Sequence, residues 1–85
     1  MNLDNALDIY EEFLLHTREH GHFEAAKCDD AGNERICLKF DKGFTVELTN
    51  KKSAKDSAVL RCWWDEGEVV RPRSVERLLR EFGKN

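Results

Sequence analysis

Residues 35–49, RICLKFDKGFTVELT, restrict the fold more than any other stretch of the chain. Ile36, Leu38 and Phe40 alternate with Cys37 and Lys39, and Phe44, Val46 and Leu48 alternate with Thr45, Glu47 and Thr49. A strand turns successive side chains to opposite faces, so each segment gathers its large apolar residues on one side. Asp41-Lys42-Gly43 between them reads as a turn in which Gly43 takes positive φ, as in a G1 bulge. The stretch is a β-hairpin with one face to bury. Its other face, Cys37, Lys39, Thr45, Glu47 and Thr49, is too polar for a core and is expected to be partly wet.

The flanking segments supply the rest of a small layered fold. Leu3, Ala6, Leu7, Tyr10, Phe13, Leu14 and Thr17 follow one side of a 3.6-residue period, with Ile9 widening it, which predicts a helix over 3–20. Asn2 is its cap and Gly21 its stop. Residues 22–28 form a strand candidate joined to the hairpin by the turn-rich 29–33. After a polar loop over 50–57, AVLRCWW at 58–64 reads as a strand with Leu60, Cys62 and Trp64 on one face and Val59, Arg61 and Trp63 on the other. Asp65-Glu66-Gly67 is a turn from which 68–71 returns as a short strand. Ser74 caps a last helix with an apolar stripe of Val75, Leu78, Leu79 and Phe82 and with i,i+4 pairs Glu76–Arg80 and Arg77–Glu81, ending at Gly83. The expected fold is α+β: an antiparallel four- to five-stranded meander-like sheet flanked by an N-terminal and a C-terminal helix, in the order α-β-β-β-β-(β)-α.

Length and charge bear on function. The 85 residues make one domain, 1–85, whose core competes with any large catalytic cavity for its apolar residues. No run reaches membrane-spanning length and the acidic start lacks a signal-peptide pattern, so the expected location is cytoplasmic with no membrane role. Cys28, Cys37 and Cys62 include no CxxC spacing and read as reduced, packed thiols. Residues 1–34 carry nine acids and two bases, for −7, and residues 35–85 carry eight acids and twelve bases, for +4. An acidic whole is a poor general nucleic-acid binder, although a local basic patch remains available.

Chemistry-bearing motifs are sparse. His16 and His20 lie one helical turn apart, with His22, Cys28 and Cys37 further on, but the close paired ligands of a structural zinc site are missing. Helix-end histidines are the simpler reading, so no metal and no cofactor are expected. No HExxH, nucleophile elbow or Gly-rich phosphate loop occurs, and Cys62 beside Arg61 reads as packing, so the chain is not expected to be an enzyme. Adjacent Trp63 and Trp64 must face opposite sides of their strand. An exposed Trp63 ringed by Arg61, Glu68 and Arg71 is an aromatic anchor with a polar rim. Asp4, Asp8, Glu11 and Glu12 on the first helix form a second surface, suited to a basic partner or simply to water.

These features lead to a non-catalytic protein-interaction module, regulatory or inhibitory, of the size class of phage or mobile-element accessory proteins. It is expected to use Trp63, Arg61, Glu68 and Arg71, or Asp4, Asp8, Glu11 and Glu12, and to self-associate as a homodimer through a sheet edge or free face. The alternative is a nucleic-acid-associated regulator that meets phosphate through Arg71, Arg73 and Arg77 and the loop lysines Lys51, Lys52 and Lys55.

Overall fold

A computed structural model describes residues 2–17, 21–28, 32–50 and 58–84, with the backbone alone at Leu3 and over 21–28. The elements are α1 (Leu3–Thr17), β1 (Gly21–Cys28), β2 (Glu34–Phe40), β3 (Phe44–Asn50), β4 (Ala58–Trp64) and α2 (Val75–Phe82). The class is α+β. The strands pair antiparallel in the sheet order β1-β2-β3-β4. Residues 18–20, which would extend the first helix to its expected end, and the loop lysines Lys51, Lys52 and Lys55 lie outside the described residues. Gly21 opens β1.

The hairpin of β2 and β3 has the register that its alternation demands. Ile36 pairs with Leu48 and Leu38 with Val46, while Cys37 pairs with Glu47 and Lys39 with Thr45. Gly43 has φ +95 and donates its N–H to the Phe40 carbonyl at 3.0 Å. A side chain at Gly43 is doubly disfavoured, because a Cβ would also stand 2.7 Å from the Asp65 carboxylate.

Both helices lie on the apolar sheet face. α1 packs on β3 and β4 and touches α2, which packs on β4. Asn2 caps α1 through an Asn5 N–H···Oδ1 bond of 2.8 Å, and Ser74 caps α2 by accepting the Arg77 N–H at 3.1 Å. Ala6, Ile9, Tyr10 and Phe13 of α1 and Leu78 of α2 close over Leu38, Phe40, Phe44, Val46, Leu48, Leu60 and Cys62. At one end of this core, aromatic rings tie five elements together. Phe13 meets Phe40 edge-on at 5.7 Å, Phe40 meets Phe82 at 4.7 Å, and Phe44 meets Trp64 at 4.8 Å. Trp64 stacks on Phe82 and donates its indole N–H to the Glu81 carbonyl at 2.8 Å, which locks α2 to β4.

The packing sharpens one expectation and corrects another. The polar face of the hairpin is exposed at Lys39 and part-buried at Arg35 and Cys37, but along β3 Thr45, Glu47 and Thr49 are all buried. β3 is an inner strand, so the side chains of β2 and β4 flank its own on both sides. The return over 68–71 is not a strand but one bridge, Cys62 to Val70, with both backbone bonds at 2.8 Å. Its next rung toward α2 falls at Pro72, which has no N–H to give, so the ladder stops there.

Candidate interaction surface

The side of the sheet away from the helices is built row by row. The register places Lys39, Thr45 and Trp63 across one row, Cys37, Glu47 and Arg61 across the next, and Arg35, Thr49 and Val59 across a third. The return segment continues these rows. With Val70 opposite Cys62, Val69 neighbours Trp63 and Arg71 neighbours Arg61, while Arg73, at a bend, shares a cleft with Val59. Burial follows the same alternation. Val70 packs on the core and Pro72 is fully buried, whereas Val69, Arg71 and Arg73 are exposed.

The middle row is an ion pair. Arg61 holds the Glu47 carboxylate through Nη2 and through Nε, the latter at 3.0 Å, and the Thr49 hydroxyl donates to the same carboxylate at 3.2 Å. The Glu47 side chain is only 7% exposed and that of Arg61 31%. A carboxylate this deep needs its cation and its hydroxyl, since an uncompensated charge out of water costs several kcal/mol. Arg61 is therefore committed to the sheet and is not a free rim residue. Trp63 beside it is half-buried and borders a groove of about 510 Å³ with Cys37, Lys39, Gly43, Thr45 and Asp65.

The arginine cluster separates into two groups. Arg77 pairs with Glu81 at 3.1 Å, Arg80 with Glu76 at 3.3 Å, and Lys84 also reaches Glu81 at 3.0 Å. Among the described residues, Arg71 and Arg73 have no carboxylate partner. Together with Val59, Leu60 and Pro72 they line a cleft of about 120 Å³. Arg77, expected from the sequence to meet phosphate, is thus already paired, although its side chain stays half exposed. Its backbone N–H is also taken by Ser74.

Other expected residues fall elsewhere. Glu68 lines a cleft of about 270 Å³ with Cys62, Trp63, Trp64, Glu81 and Lys84, at the end of α2. Burial, reinforced by the Glu81 carboxylate, pushes the Cys62 thiol up to about 12, so Cys62 is an inert packed residue. Asp4, Asp8, Glu11 and Glu12 are exposed along α1 on the opposite side of the molecule from Trp63, so the two expected partner surfaces are separate. His16 uses its Nδ1 on the Glu12 carbonyl at 2.7 Å. Among the described residues no three His, Cys, Asp or Glu side chains converge on a common point, and His20, His22 and Cys28 lie outside the described side chains.

Val69 and the buried acids Glu47 and Glu81 were not singled out by sequence reasoning. Val69 is 56% exposed. Its position one residue from Val70 carried a usable signal, because alternation from the Asp65-Glu66-Gly67 turn sends one valine of the pair outward. Comparison of the chain with family models, with curated proteins and with solved structures returns no match. No described helix is long and apolar enough to cross a membrane.

Proposed function

We propose that the chain is a non-catalytic protein-interaction module, regulatory or inhibitory and cytoplasmic, that docks its partner on the return segment and the adjacent Trp63 face. The observation that carries this reading is the set Trp63, Val69, Arg71 and Arg73. It joins a half-buried indole and an exposed valine to two arginines that make no internal ion pair among the described residues. Apolar anchors beside unneutralised guanidinium groups are what partner surfaces use, since arginine and tryptophan dominate the energetically important positions of interfaces. The Glu47–Arg61 pair beneath fixes the floor of the site, so little ordering entropy is lost on docking.

Nucleic acid fits this surface less well. Among the described residues, Arg71 and Arg73 would neutralise about two phosphates, which by themselves support only a weak, shallow salt dependence. Arg77 is held by Glu81, and Val69 offers a phosphate nothing.

A photo-crosslinking amino acid at position 69 tests the proposal in the native host. It should give protein adducts that disappear with Arg71→Glu and Arg73→Glu. The same group at exposed position 76 on α2 should give none. Adducts made of nucleic acid, or equal protein adducts from both positions, would overturn the reading.

A further inference from the structure

The return segment has a free edge. Val70 turns its N–H and C=O inward to Cys62, so the alternation of an extended chain turns those of Val69 and Arg71 outward. Neither residue has a backbone hydrogen-bond partner among the described residues. The segment is held extended by the bridge at Val70 and by Pro72, which biases Arg71 away from helical angles. Alternate residues of an extended chain stand about 6.8 Å apart, so Val69 and Arg71 present an apolar and a cationic position at strand spacing beside Trp63, and Arg73 adds a second cation at the bend that follows Pro72.

Resting on the docking reading above, we infer that the partner contributes an extended acidic segment that adds to the sheet as a strand along Val69–Arg71. Its backbone takes the two outward N–H and two outward C=O groups, the β-augmentation mode of peptide recognition. Cross-strand pairing then places an apolar side chain against Val69 and Trp63 and a carboxylate two residues along, against Arg71, with Arg73 at the following bend as a further cation for the acidic segment. Charge complementarity selects an acidic occupant. A second copy would bring its own exposed acids, on α1 and at Asp65, Glu66 and Glu68, and concentration-dependent dimerisation is the result that would identify it as the occupant instead.

The probe is a capped eight-residue peptide alternating valine and aspartate, titrated into the full chain and followed by amide resonances and hydrogen exchange. Binding should protect the Val69 and Arg71 amides and tighten as salt falls. It should weaken at least about tenfold for three changes: the same composition in valine and aspartate blocks, N-methylation of the pairing amides, and the Arg71→Glu/Arg73→Glu double variant with an otherwise unchanged amide spectrum. Equal binding of the blocked peptide, or saturation without protection of those two amides, would overturn the inference. So would displacement of the peptide by a single-stranded oligonucleotide, or concentration-dependent dimerisation abolished by the double variant. Position-69 crosslinks to protein without peptide binding would leave the docking reading standing and remove only the strand-addition mode, whereas loss of both would remove both.

Discussion

The Glu47–Arg61 pair should respond asymmetrically to loss of its two partners. Arg61→Met keeps most of the apolar stem and removes the guanidinium, leaving a carboxylate whose side chain is 7% exposed with only the Thr49 hydroxyl to satisfy it. Breaking a buried pair in this direction costs about 3–5 kcal/mol, and the surviving Thr49 bond puts the expectation at the low end, about 3 kcal/mol. Glu47→Gln leaves the opposite orphan. The guanidinium is 31% exposed, so water can solvate it, and the amide oxygen still accepts from Arg61 and Thr49. The loss should be about 1 kcal/mol, the worth of a charge-assisted hydrogen bond weakened rather than removed. Replacing both together, Glu47→Leu with Arg61→Met, leaves no charge to desolvate and should fall within about 1 kcal/mol of the parent. Urea unfolding of the four proteins measures this. With a slope of about 1–1.5 kcal/mol/M for a small domain, Arg61→Met should lower the midpoint by about 2–3 M. A Glu47→Gln loss equal to or larger than that of Arg61→Met would refute the account, as would a double variant whose losses simply add.

Three further outcomes follow from single groups. The Tyr10 hydroxyl is buried with no hydrogen-bond partner among the described residues, so Tyr10→Phe should stabilise the fold by about 1 kcal/mol in the same urea assay. Glu66 sits at φ 65 in the turn closed by the Gly67 N–H to the Trp64 carbonyl, so Glu66→Gly should relieve about 1 kcal/mol of left-handed strain and raise the thermal midpoint by several degrees. Burial raises the Cys62 thiol to about 12 and lifts Tyr10 as well. Both then bind their protons more tightly in the folded state, so stability should be level up to about pH 9, where the unfolded thiol begins to ionise, and fall as the pH rises toward 12. Cys62→Ala together with Tyr10→Phe should flatten that decline, and an unchanged alkaline slope would count against it.

Sequence alternation carried the register of the hairpin, the sidedness of Trp63 and Trp64, both helix caps and the two i,i+4 pairs of α2, because each depends on spacing along a single element. Depth was not legible in the same way. Alternation assigns Thr45, Glu47 and Thr49 to a face, but whether water reaches them depends on which neighbours stand on each side, a property of strand order rather than of strand sequence. The arginines show the same limit. Arg71, Arg73, Arg77 and Arg80 look equivalent as a string, and only their partners divide them into paired and uncommitted charges. The sequence does contain the reason. Arg77 and Arg80 have acids at helical spacing, whereas Arg71 and Arg73 flank a proline, where no helix can bring a carboxylate alongside.

Pro72 sets the dimensions of the proposed site. A residue with an N–H at that position could extend the bridge toward Leu60 and present a longer outer edge. Long, exposed edges pair indiscriminately, and natural sheets shorten, charge or interrupt them for that reason. Here the interruption comes one rung after Val70, and the residues on either side of the proline are arginines. The open edge is therefore limited to the backbone of Val69 and Arg71, with Glu68 before it and arginines at its other end, so a strand that cannot pair with Arg71 and Arg73 gains too few hydrogen bonds to offset what it loses in solvation. An acidic strand gains the bonds and the ion pairs together. A short edge with two uncommitted cations thus discriminates by charge where a longer edge would bind by backbone alone, and selectivity of that kind is what a regulatory surface requires.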